Sequence, residues 1–584
     1  MVNNNSDKGY FTRSIFFRSV FASPLAGIGL ALAEIGDSII VGHGIGMNAI
    51  AAIGYLSPLF LLFSFLSFGL STGGAIIYND LMNEGKRDEA LDIFNTFILV
   101  SGVICVILLL FIFMMQDNLL LLLGVEPEDR EVYAMAKSYL FFIVLGGPFE
   151  IISEVLNAYL RNDKDVTFSL VVQTICGISN LIISAVLLFI FDWGIAGCSF
   201  GFFASNLATA AVTFIYILRS NNELKFRTRF VSLKQIIKPL RLGFATSAEY
   251  IFGAVLSLTF IHIMSGLSGA EGVAVYNIIQ DISVVFVFIF EMIGKTAQPI
   301  FTTYNSEHNK SELRRMFKYC VVYSVLIGVM FIVVIFCYPQ ILTLFFGMED
   351  AKDLSAVYRA AYIFGFGAIF MGISLLMQNF TQSVGDDKGV FAFVFMRQLG
   401  VAIPVLLLLS LWGSDAVWFV YPLTEIISQI IYFVIWRIRK NKSVDSDKTV
   451  YCTSFSVDNT NIFKELDSIE MFFSQRGIDK KRCIRLRFSL EEIFGAIEEY
   501  AGKKEHILAQ LTIIKDSDGS VEVHLRSNSK EFNMFSSLPE RLTTIPEKDS
   551  EVDIRGLALL VVRNNSKNRL YRNHQGFDTL TYRI

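Results

Sequence analysis

The sequence has little charge for its length. Asp, Glu, Lys and Arg make up 18% of its 584 residues, whereas a soluble globular protein carries about 25%. The deficit is confined to residues 14–440, which consist mostly of apolar runs of roughly 20 residues or more, long enough to cross a membrane. Residues 441–584 have an ordinary soluble composition. With a mean hydropathy of +0.51, the chain is predicted to be a polytopic membrane protein with a soluble tail.

Cysteine patterns that would indicate a metal centre or a disulfide framework are absent from the sequence. None of the seven cysteines forms a CxxC pair or a metal-ligand spacing, and five lie in apolar runs, where a cysteine behaves as a small hydrophobe. The first 13 residues are polar and no small-residue cleavage site follows a short apolar core, so no cleaved signal peptide is predicted. No cofactor and no nucleic-acid partner are predicted.

The apolar runs predict twelve transmembrane helices. They are placed near 15–42, 47–78, 89–116, 133–160, 164–191, 194–219, 234–265, 272–304, 316–338, 355–384, 388–411 and 415–438. Lys and Arg are abundant in the loops on one side of these helices, and that side is predicted to be cytoplasmic. The opposite side carries only Arg130, Lys137, Lys352 and Arg359. An even number of helices then places both termini in the cytoplasm.

A short repeat divides the membrane part into two halves. The segment YNDLMN (78–83) ends one long apolar run, and YNSEHN (304–309) ends another. Their matching Tyr and Asn residues share one constant offset, which predicts two related bundles. The predicted fold class is an all-α polytopic membrane protein with two six-helix pseudo-repeat bundles, followed by a cytoplasmic α+β sandwich domain. The predicted boundaries are 1–14 (N-terminal tail), 15–219 (first bundle), 220–233 (linker), 234–440 (second bundle), 441–449 (linker) and 450–584 (C-terminal domain).

Acidic residues inside the first predicted helix are candidates for ion coupling, because an ionisable group is costly in lipid. Glu34 and Asp37 are three residues apart and would share one helix face. Two neighbouring carboxylates suit a proton or sodium site, since a cation relieves their repulsion. The alternative is that one of them lies near the helix end in water.

The other acids in apolar runs have two interpretations. Glu150 and Glu154 follow Pro148 and either line a cavity at a kinked helix or are capped by neighbouring helices. In the second half, Glu249 has no close partner in sequence and is a candidate functional acid. Asp281 is a candidate cavity acid or a partner of Glu291. Lys295 lies four residues after Glu291, a spacing that favours a structural ion pair.

Four segments resemble the multidrug and toxic compound extrusion (MATE) family. They are GDSIIVGHGIGMNAIAAIGYLSP (36–58), LRNDKDVTFSLVVQTICGISNLII (160–183), YNIIQDISVVFVFIFEMIGKTAQPIFTTYNSEHNKSELRRM (276–316) and QSVGDDKGVFAFVFMRQLGVAIPVLLLLSLWG (382–413). The resemblance implies two six-helix bundles around a central cavity that opens alternately to either side. It also implies export of organic, often cationic, compounds in exchange for protons or sodium.

The resemblance also implies a coupling site. Family members pair an acid in helix 1, which corresponds to Asp37, with an Asn in helix 5, which corresponds to Asn180. An Asp usually follows that Asn by one turn, but Ser184 stands there in this chain, and Phe202 occupies the place of a hydroxyl residue in helix 6. The loss of one carboxylate favours proton over sodium coupling, with Glu34 as a substitute acid. Glu249 matches a coupling acid that some members carry in the second half.

The C-terminal tail resembles the small ATPase fold of anti-sigma-factor serine kinases and histidine kinases. The likeness rests on LRFSLEEIFGAIEEYA (486–501), LRSNSKEFNMF (525–535) and DIRGLALLVVR (553–563). Glu491 matches the family's base, but Gly495 replaces the magnesium-binding Asn and Ser527 replaces the adenine-reading Asp. Since both ligand sets are incomplete, a degenerate domain that binds a protein or regulates the transporter is expected rather than an ATPase or kinase.

These features leave three function classes open. The first is an antiporter that exports organic, cationic compounds across a bacterial-type plasma membrane. The second is a flippase or exporter of a lipid-linked or cell-envelope compound. The third is a membrane sensor that signals through residues 450–584 to a cytoplasmic protein. The predicted partners are accordingly small organic molecules, membrane lipid and a cytoplasmic protein.

Overall fold

The computed structural model describes residues 9–584, apart from 163–165, 220–223, 228, 348–350, 441–448, 502–506, 517–518, 530–560, 564–566 and 575–576. In this described part of the chain, ten helices are long and apolar enough to cross a membrane. Large apolar side chains remain exposed along them, such as Ile107, Met114 and Leu411. A water-soluble fold would bury such a belt, so the helices form a membrane domain.

In its described residues, the membrane domain consists of helices, and two of these helical segments are interrupted by short π-helical stretches. The first half contains α1 (Tyr10–Ile15), π1 (Phe16–Val20), α2 (Ser23–Glu34), α3 (Gly36–Gly44), α4 (Met47–Asn83), α5 (Arg87–Met114), α6 (Gln116–Leu122), α7 (Arg130–Asn162), α8 (Val166–Phe189) and α9 (Ile195–Arg219). The second half contains α10 (Leu233–Thr246), α11 (Ala248–Ser306), α12 (Lys310–Cys337), α13 (Gln340–Phe346), α14 (Ala351–Ser383), α15 (Asp387–Phe395), π2 (Met396–Gly400), α16 (Ala402–Ser410), α17 (Ser414–Val417) and α18 (Val420–Lys440).

The predicted single helix at 15–42 is wrong, because the segment is divided into α1, π1, α2 and α3. Pro24 at the start of α2 has no N–H to bond the carbonyl of Val20. The hydroxyl of Ser23 donates to that carbonyl at 2.7 Å and replaces the missing bond. A second interruption separates α2 from α3 at Ile35, whose ψ is 0°.

Three further predicted helices are also divided. The predicted helix at 415–438 is interrupted at Trp418 and Phe419, between α17 and α18. The predicted helix at 234–265 is interrupted at Ser247, where α10 ends and α11 begins. The predicted helix at 388–411 is interrupted by π2, one turn before Pro404. Because Pro404 cannot donate to the carbonyl of Gly400, the regular hydrogen-bond ladder is lost at that turn. Conversely, α11 joins two predicted helices across a bend at Gly269, whose φ of 61° and ψ of −151° suit a glycine.

The two halves are structurally related, but the register predicted from the Tyr-Asn pairs is wrong by three residues. Helix α4 ends one residue before Glu84, and α11 ends one residue before Glu307. The next residue in each loop has a positive φ, 76° at Gly85 and 51° at His308. Glu84 and Glu307 are therefore equivalent. Tyr78 and Tyr304, which the sequence match aligns, are not equivalent.

An aromatic cluster repeats in this corrected register. In each half, one ring packs against the two others at centroid distances of 4.7 to 5.3 Å, in edge contacts except for one tilted pair. The rings are Tyr78, Tyr159 and Phe94 in the first half, and Phe301, Phe380 and Phe317 in the second half. Equivalent clusters at equivalent helix ends support the internal repeat more strongly than the short sequence match does.

Where the structure describes it, the C-terminal tail forms a five-stranded antiparallel sheet with two long helices. The five strands are β1 (Thr449–Ser456), β2 (Leu508–Lys515), β3 (Val521–Ser527), β4 (Lys567–His574) and β5 (Phe577–Arg583), in the order β1-β2-β3-β5-β4. Helices α19 (Asn459–Ser474) and α20 (Lys480–Ala501) supply apolar residues to the core on one face. The sequence predicts strands at 451–457, 506–514, 520–526 and 576–583 and helices at 461–475 and 481–500, and these agree with the structure within a few residues, whereas β4 was not predicted. A last helix, predicted at 556–563, lies outside the described residues except for 561–563.

Candidate functional site

The two halves meet where glycines allow close approach of their backbones. A Cβ atom at Gly243 in α10 would lie 1.9 Å from the carbonyl oxygen of Gly69 in α4, and a Cβ at Gly73 would lie 2.3 Å from that of Pro239. In α2, a Cβ at Gly27 would lie 2.6 Å from the carbonyl oxygen of Phe288 in α11. Small residues at such crossings are the usual means of tight packing between membrane helices.

Asp37 and Asn180 come together in the first half, as the sequence predicted. The side-chain amide of Asn180 in α8 donates to Asp37 Oδ2 at 3.4 Å. The hydroxyl of Ser184 lies 3.5 Å from Asn180 Oδ1 and 3.2 Å from the carbonyl oxygen of Cys198. Asp37 Oδ1 is buried and has no hydrogen-bond partner among the described residues. One oxygen of this carboxylate can therefore receive a proton or a cation.

Gly201 explains why the site is closely packed. A Cβ atom at this position of α9 would lie 2.4 Å from Ser184 Oγ and 3.0 Å from the carbonyl oxygen of Asn180. Only a glycine lets α9 approach the polar face of α8 so closely. Phe202, the next residue, contacts Gly146 of α7 and forms an edge contact with Phe60 at 5.8 Å.

Glu34 and Asp37 have different surroundings. Glu34 is the last residue of α2 and is exposed, whereas Asp37 lies in the first turn of α3 and is half-buried. The interruption at Ile35 separates them, so the prediction that both share a face of one continuous helix is wrong. The role of Glu34 as a substitute acid stays a prediction.

Asn277, a residue of the second half, connects Asp281 with the first half. The amide of Asn277 in α11 lies 3.3 Å from Ser38 Oγ and 3.3 Å from Asp281 Oδ2. Ser38 directly follows Asp37, so this contact links the surroundings of the two acids across the interface between the halves. Asn277 was not among the predicted site residues, although its spacing of one helical turn from Asp281 in the sequence indicated a contact.

Glu150 and Glu154 differ in their contacts. Glu154 accepts from Arg161 at 2.7 Å and from Gln173 at 2.6 Å, so its charge is compensated. Glu150 is half-buried, and its Oε2 atom has no hydrogen-bond partner among the described residues. The capped-carboxylate interpretation therefore fits Glu154, and the cavity interpretation remains for Glu150.

In the second half, Glu249 is half-buried and receives a hydrogen bond from Gln378 at 3.3 Å. The predicted ion pair between Glu291 and Lys295 is confirmed, with 2.8 Å between Oε1 and Nζ. The charge of Glu291, the predicted partner of Asp281, is therefore already compensated by Lys295.

A buried ion pair was not predicted from the sequence. Arg397, in π2, donates from Nε to Glu425 Oε1 at 2.7 Å, and both side chains are at least 86% buried. The sequence does place one cation and one anion in neighbouring apolar segments. This placement indicated an ion pair, because a buried charge needs a partner.

Comparison with known proteins identifies the membrane domain. The chain matches the family model MatE over residues 24–186 and 245–408, one stretch in each half. The chain belongs to the MATE family. The multidrug and toxic compound extrusion resemblance of the sequence is thereby confirmed, and the chain is a membrane transporter rather than an enzyme.

Curated relatives and solved structures agree with this assignment. The chain is 22% identical to "Probable multidrug resistance protein YoeA" of Bacillus subtilis (strain 168), over 72% of the chain and 93% of that protein. It is 23% identical to "Multidrug export protein MepA" of Staphylococcus aureus (strain MRSA252), over 76% of the chain and 98% of that protein.

Among solved structures, an inward-facing multidrug resistance MATE transporter of the MOP superfamily matches with a TM-score of 0.66 at 16% identity, covering 71% of this chain and 96% of that one. An outward-facing structure of such a transporter matches with a TM-score of 0.57 at 16% identity, covering 76% of this chain and 98% of that one. At these identities the matches show the fold alone.

The ATPase-like site expected in the tail of this MATE-family chain is only partly described. Glu491 is exposed on α20, and Gly495 is half-buried. Ser527, at the position of the adenine-reading Asp, is buried and bonds to Ser529 at 2.6 Å; Ser529 in turn donates to Asp578 at 2.7 Å. The described serines thus bond to one another and to β5. The remaining motif positions at 530–535 and 553–560 lie outside the described residues.

Proposed function

We propose that the chain is a secondary active exporter that exchanges organic, cationic compounds for protons by alternating access. The observation that carries the proposal is the contact between Asp37 and Asn180, with the second carboxylate oxygen unpartnered among the described residues. Its relatives YoeA and MepA are named as multidrug resistance and multidrug export proteins. Together these support drug-like substrates for this chain.

Proton coupling is favoured over sodium coupling. A sodium ion bound in protein needs several oxygen ligands, and two nearby carboxylates would offset its desolvation. Ser184 stands where the family usually has the second carboxylate, and its hydroxyl faces Asn180 Oδ1 and a backbone carbonyl. A proton needs only the free oxygen of Asp37.

The exchange follows from the charge of Asp37. Protonation neutralises the carboxylate and weakens its attraction for the Asn180 amide, so α3 can repack against α8. Loss of the proton restores a negative group that attracts a cationic compound. Asp281, Glu249 and Glu150 are proposed as acids of the substrate pathway, and Asn277 links Asp281 to the segment that carries Asp37.

The topology is proposed to consist of twelve crossings. Ten described helices are long enough to span, α11 bends at Gly269 into two segments that could each cross, and α2 with α3 forms one interrupted crossing. The face that carries the loops at 84–87 and 307–312 is rich in Lys and Arg and is assigned to the cytoplasm. Both termini and the C-terminal domain then lie on this side.

A reconstituted transport assay tests the proposal. Proteoliposomes loaded with a cationic fluorescent dye would be placed under a proton gradient and, separately, a sodium gradient. Wild type should release dye under the proton gradient, and Asp37→Asn should lose most of this release because asparagine cannot change its protonation state. Asp117→Asn is the matched control, since Asp117 is exposed and pairs with Lys137 away from the site.

Each outcome discriminates between functions. Dye movement driven by sodium alone would refute proton coupling. Equal efflux from wild type and Asp37→Asn would refute the coupling role of Asp37. Absence of efflux under both gradients, together with movement of fluorescent lipid between leaflets, would replace the drug exporter by the lipid flippase.

A further inference from the structure

The sheet of the C-terminal domain is buried on both faces. Successive residues of β2 point to opposite sides. Leu511 and Ile513 belong to the core beneath α19 and α20, whereas Leu508 belongs to the apolar core of the membrane domain. Gln510 and Thr512, on the same face as Leu508, are 3% and 1% exposed. An antiparallel sheet usually has one face in water, so something covers this polar face.

The membrane domain covers this face through a charged pair. Arg526 of β3 stands opposite Gln510 in the sheet and donates to Gln510 Oε1 at 2.5 Å. Its other terminal nitrogen lies 2.9 Å from Glu307 Oε1, with both side chains at least 90% buried. Beside them, the Asn309 amide donates to Thr512 Oγ1 at 3.3 Å.

The charge of Arg526 is retained at this site. Burial is the largest single influence and lowers its pKa, but the attraction of Glu307, Tyr304 and Glu312 and the hydrogen bond to Glu307 together outweigh it, so the pKa of Arg526 lies above its ordinary value. A buried pair of this kind is specific, because removal of either partner leaves an uncompensated charge.

The equivalent loop of the first half does not offer this contact. Glu84 is equivalent to Glu307 but is exposed and pairs with Lys86 at 2.7 Å. The hydrogen bond and charge of Lys86 hold the pKa of Glu84 below its usual value. In the corrected register Asn309 stands in place of Lys86, so Glu307 has no local lysine at that position and remains available to Arg526. The C-terminal domain therefore distinguishes two otherwise related helix ends.

The same domain also contacts α1 of the first half. Phe577, at the start of β5, is 1% exposed and packs against Phe11 with 5.1 Å between ring centroids. The guanidinium of Arg18 lies 5.0 Å from the centre of the Phe577 ring, a cation–π distance.

Helix α1 in turn contacts the second half. The hydroxyl of Thr12 in α1 donates to Glu312 Oε2 at 2.5 Å and lies 2.9 Å from the hydroxyl of Tyr304. The loop at 307–312 is thus shared by α1 and the C-terminal domain.

We propose that α1 and the loop at 307–312 form a docking surface whose partner is the C-terminal domain of the same chain, and that the docked domain holds α1 against this loop. Helix α1 leads through π1 and α2 into α3, which carries Asp37, so this segment cannot move away from the loop on this face while the contacts of Phe577 and Arg526 both persist. Resting on the proposed alternating-access function, this surface restrains transport, and release of the domain relieves the restraint.

Disulfide crosslinking of the full chain tests the docking. Asn309→Cys and Thr512→Cys would be introduced together, with the exposed Cys337 and Cys452 changed to serine. The fraction of disulfide-linked peptide after mild oxidation would be measured by mass spectrometry. We expect rapid crosslinking, slowed about tenfold or more by Glu307→Gln or Arg526→Gln, because each leaves one buried charge unpaired.

The controls remove the same chemical groups elsewhere. Glu84→Gln removes the equivalent acid of the first half, and Arg485→Gln removes an exposed cation on α20; neither should slow the crosslink. Hydrogen exchange in α20 would verify that the domain of each variant remains folded. Failure of the cysteine pair to crosslink, or equal rates in all variants with folded domains, would overturn the docking surface.

Efflux from the crosslinked protein tests the restraint separately. Dye efflux under a proton gradient should be at least tenfold slower for the oxidised cysteine pair than for the same protein after reduction. Equal rates before and after reduction would overturn the restraint. Absence of efflux from the reduced protein would count against the proposed transport function, while the crosslinking rates would still decide the docking surface.

Discussion

The crossing of α4 and α10 predicts a large effect from a single added methyl group. In Gly243→Ala, the new Cβ would lie 1.9 Å from the carbonyl oxygen of Gly69. A carbon and a carbonyl oxygen approach to about 3.3 Å at closest, so the two helices must separate by about 1.4 Å or tilt. Both atoms belong to the backbone framework, and no side-chain rotation can relieve the clash.

The expected cost follows from overpacking. Inserting a methyl group into a tightly packed site costs about 1–3 kcal/mol, and more where the backbone must move. Gly266→Ala provides the reference, because a Cβ at Gly266 meets no atom within 4 Å and the residue is exposed in α11. Alanine is favoured over glycine inside a helix by about 0.5–1 kcal/mol, so this control should be neutral or stabilising.

Thermal unfolding of the purified full chain in detergent measures the difference. Gly243→Ala should unfold at a clearly lower temperature than Gly266→Ala, and Gly73→Ala should resemble the first variant, since its Cβ would lie 2.3 Å from the carbonyl oxygen of Pro239. If Gly243→Ala and Gly266→Ala unfold at the same temperature, the close crossing between the halves does not exist in the protein.

Three further substitutions test individual contacts. Arg397→Met should destabilise the membrane domain by about 3–5 kcal/mol because Glu425 stays buried without its partner, and the double change with Glu425→Leu should recover most of the lost melting temperature. Phe577→Ala should weaken the contact with α1 by about 1–3 kcal/mol, seen as faster hydrogen exchange in α1 with unchanged exchange in α20. Asn180→Leu should reduce proton-driven dye efflux at least tenfold by removing the amide donor of Asp37, whereas Asn118→Leu, at an exposed site in α6, should leave efflux unchanged.

The helical architecture was largely predictable from hydropathy, because the length of an apolar run is set by the thickness of the bilayer. Interruptions inside the runs were harder to predict. Pro24 and Pro404 were visible in the sequence, but whether a proline bends a membrane helix or divides it depends on which group replaces the lost hydrogen bond. At Pro24 that group is the hydroxyl of Ser23, a choice that only the folded geometry reveals.

The internal repeat was recognised from the sequence but aligned on the wrong residues. Tyr78 and Tyr304 match as letters, yet the helix ends and the aromatic clusters pair Tyr78 with Phe301. A buried ring can be Tyr or Phe at similar cost when its environment is apolar, so identity at one position is a weak guide to register. The equivalent turns at Gly85 and His308 fix the register because each follows the residue that caps its long helix and adopts a positive φ there.

The candidate site was predictable where the family resemblance supplied residues. The contact of Asp37 with Asn180 is such a case. Contacts between distant segments were not predictable, because nothing in one sequence pairs Arg397 with Glu425 or Glu154 with Gln173. Each of these residues was unusual by itself, since a polar group in an apolar run must be satisfied by another helix. The sequence thus indicates that a partner exists without indicating which one.

In the C-terminal sheet, buried polar residues likewise have their partners in a distant segment of the chain. Alternation of polar and apolar residues in β2 would normally indicate a face in water, yet Gln510 and Thr512 are buried against the membrane domain. The alternation reflects the polarity of the surface that covers the sheet. Here that surface is the loop at 307–312, which presents the acid Glu307 and the amide Asn309. Arg526 can be buried on that face only because Glu307 is free of the lysine that neutralises Glu84 in the first half. Divergence of two equivalent loops therefore accounts for one side of the proposed docking surface, because Glu307 pairs with Arg526 whereas Glu84 pairs with its own Lys86.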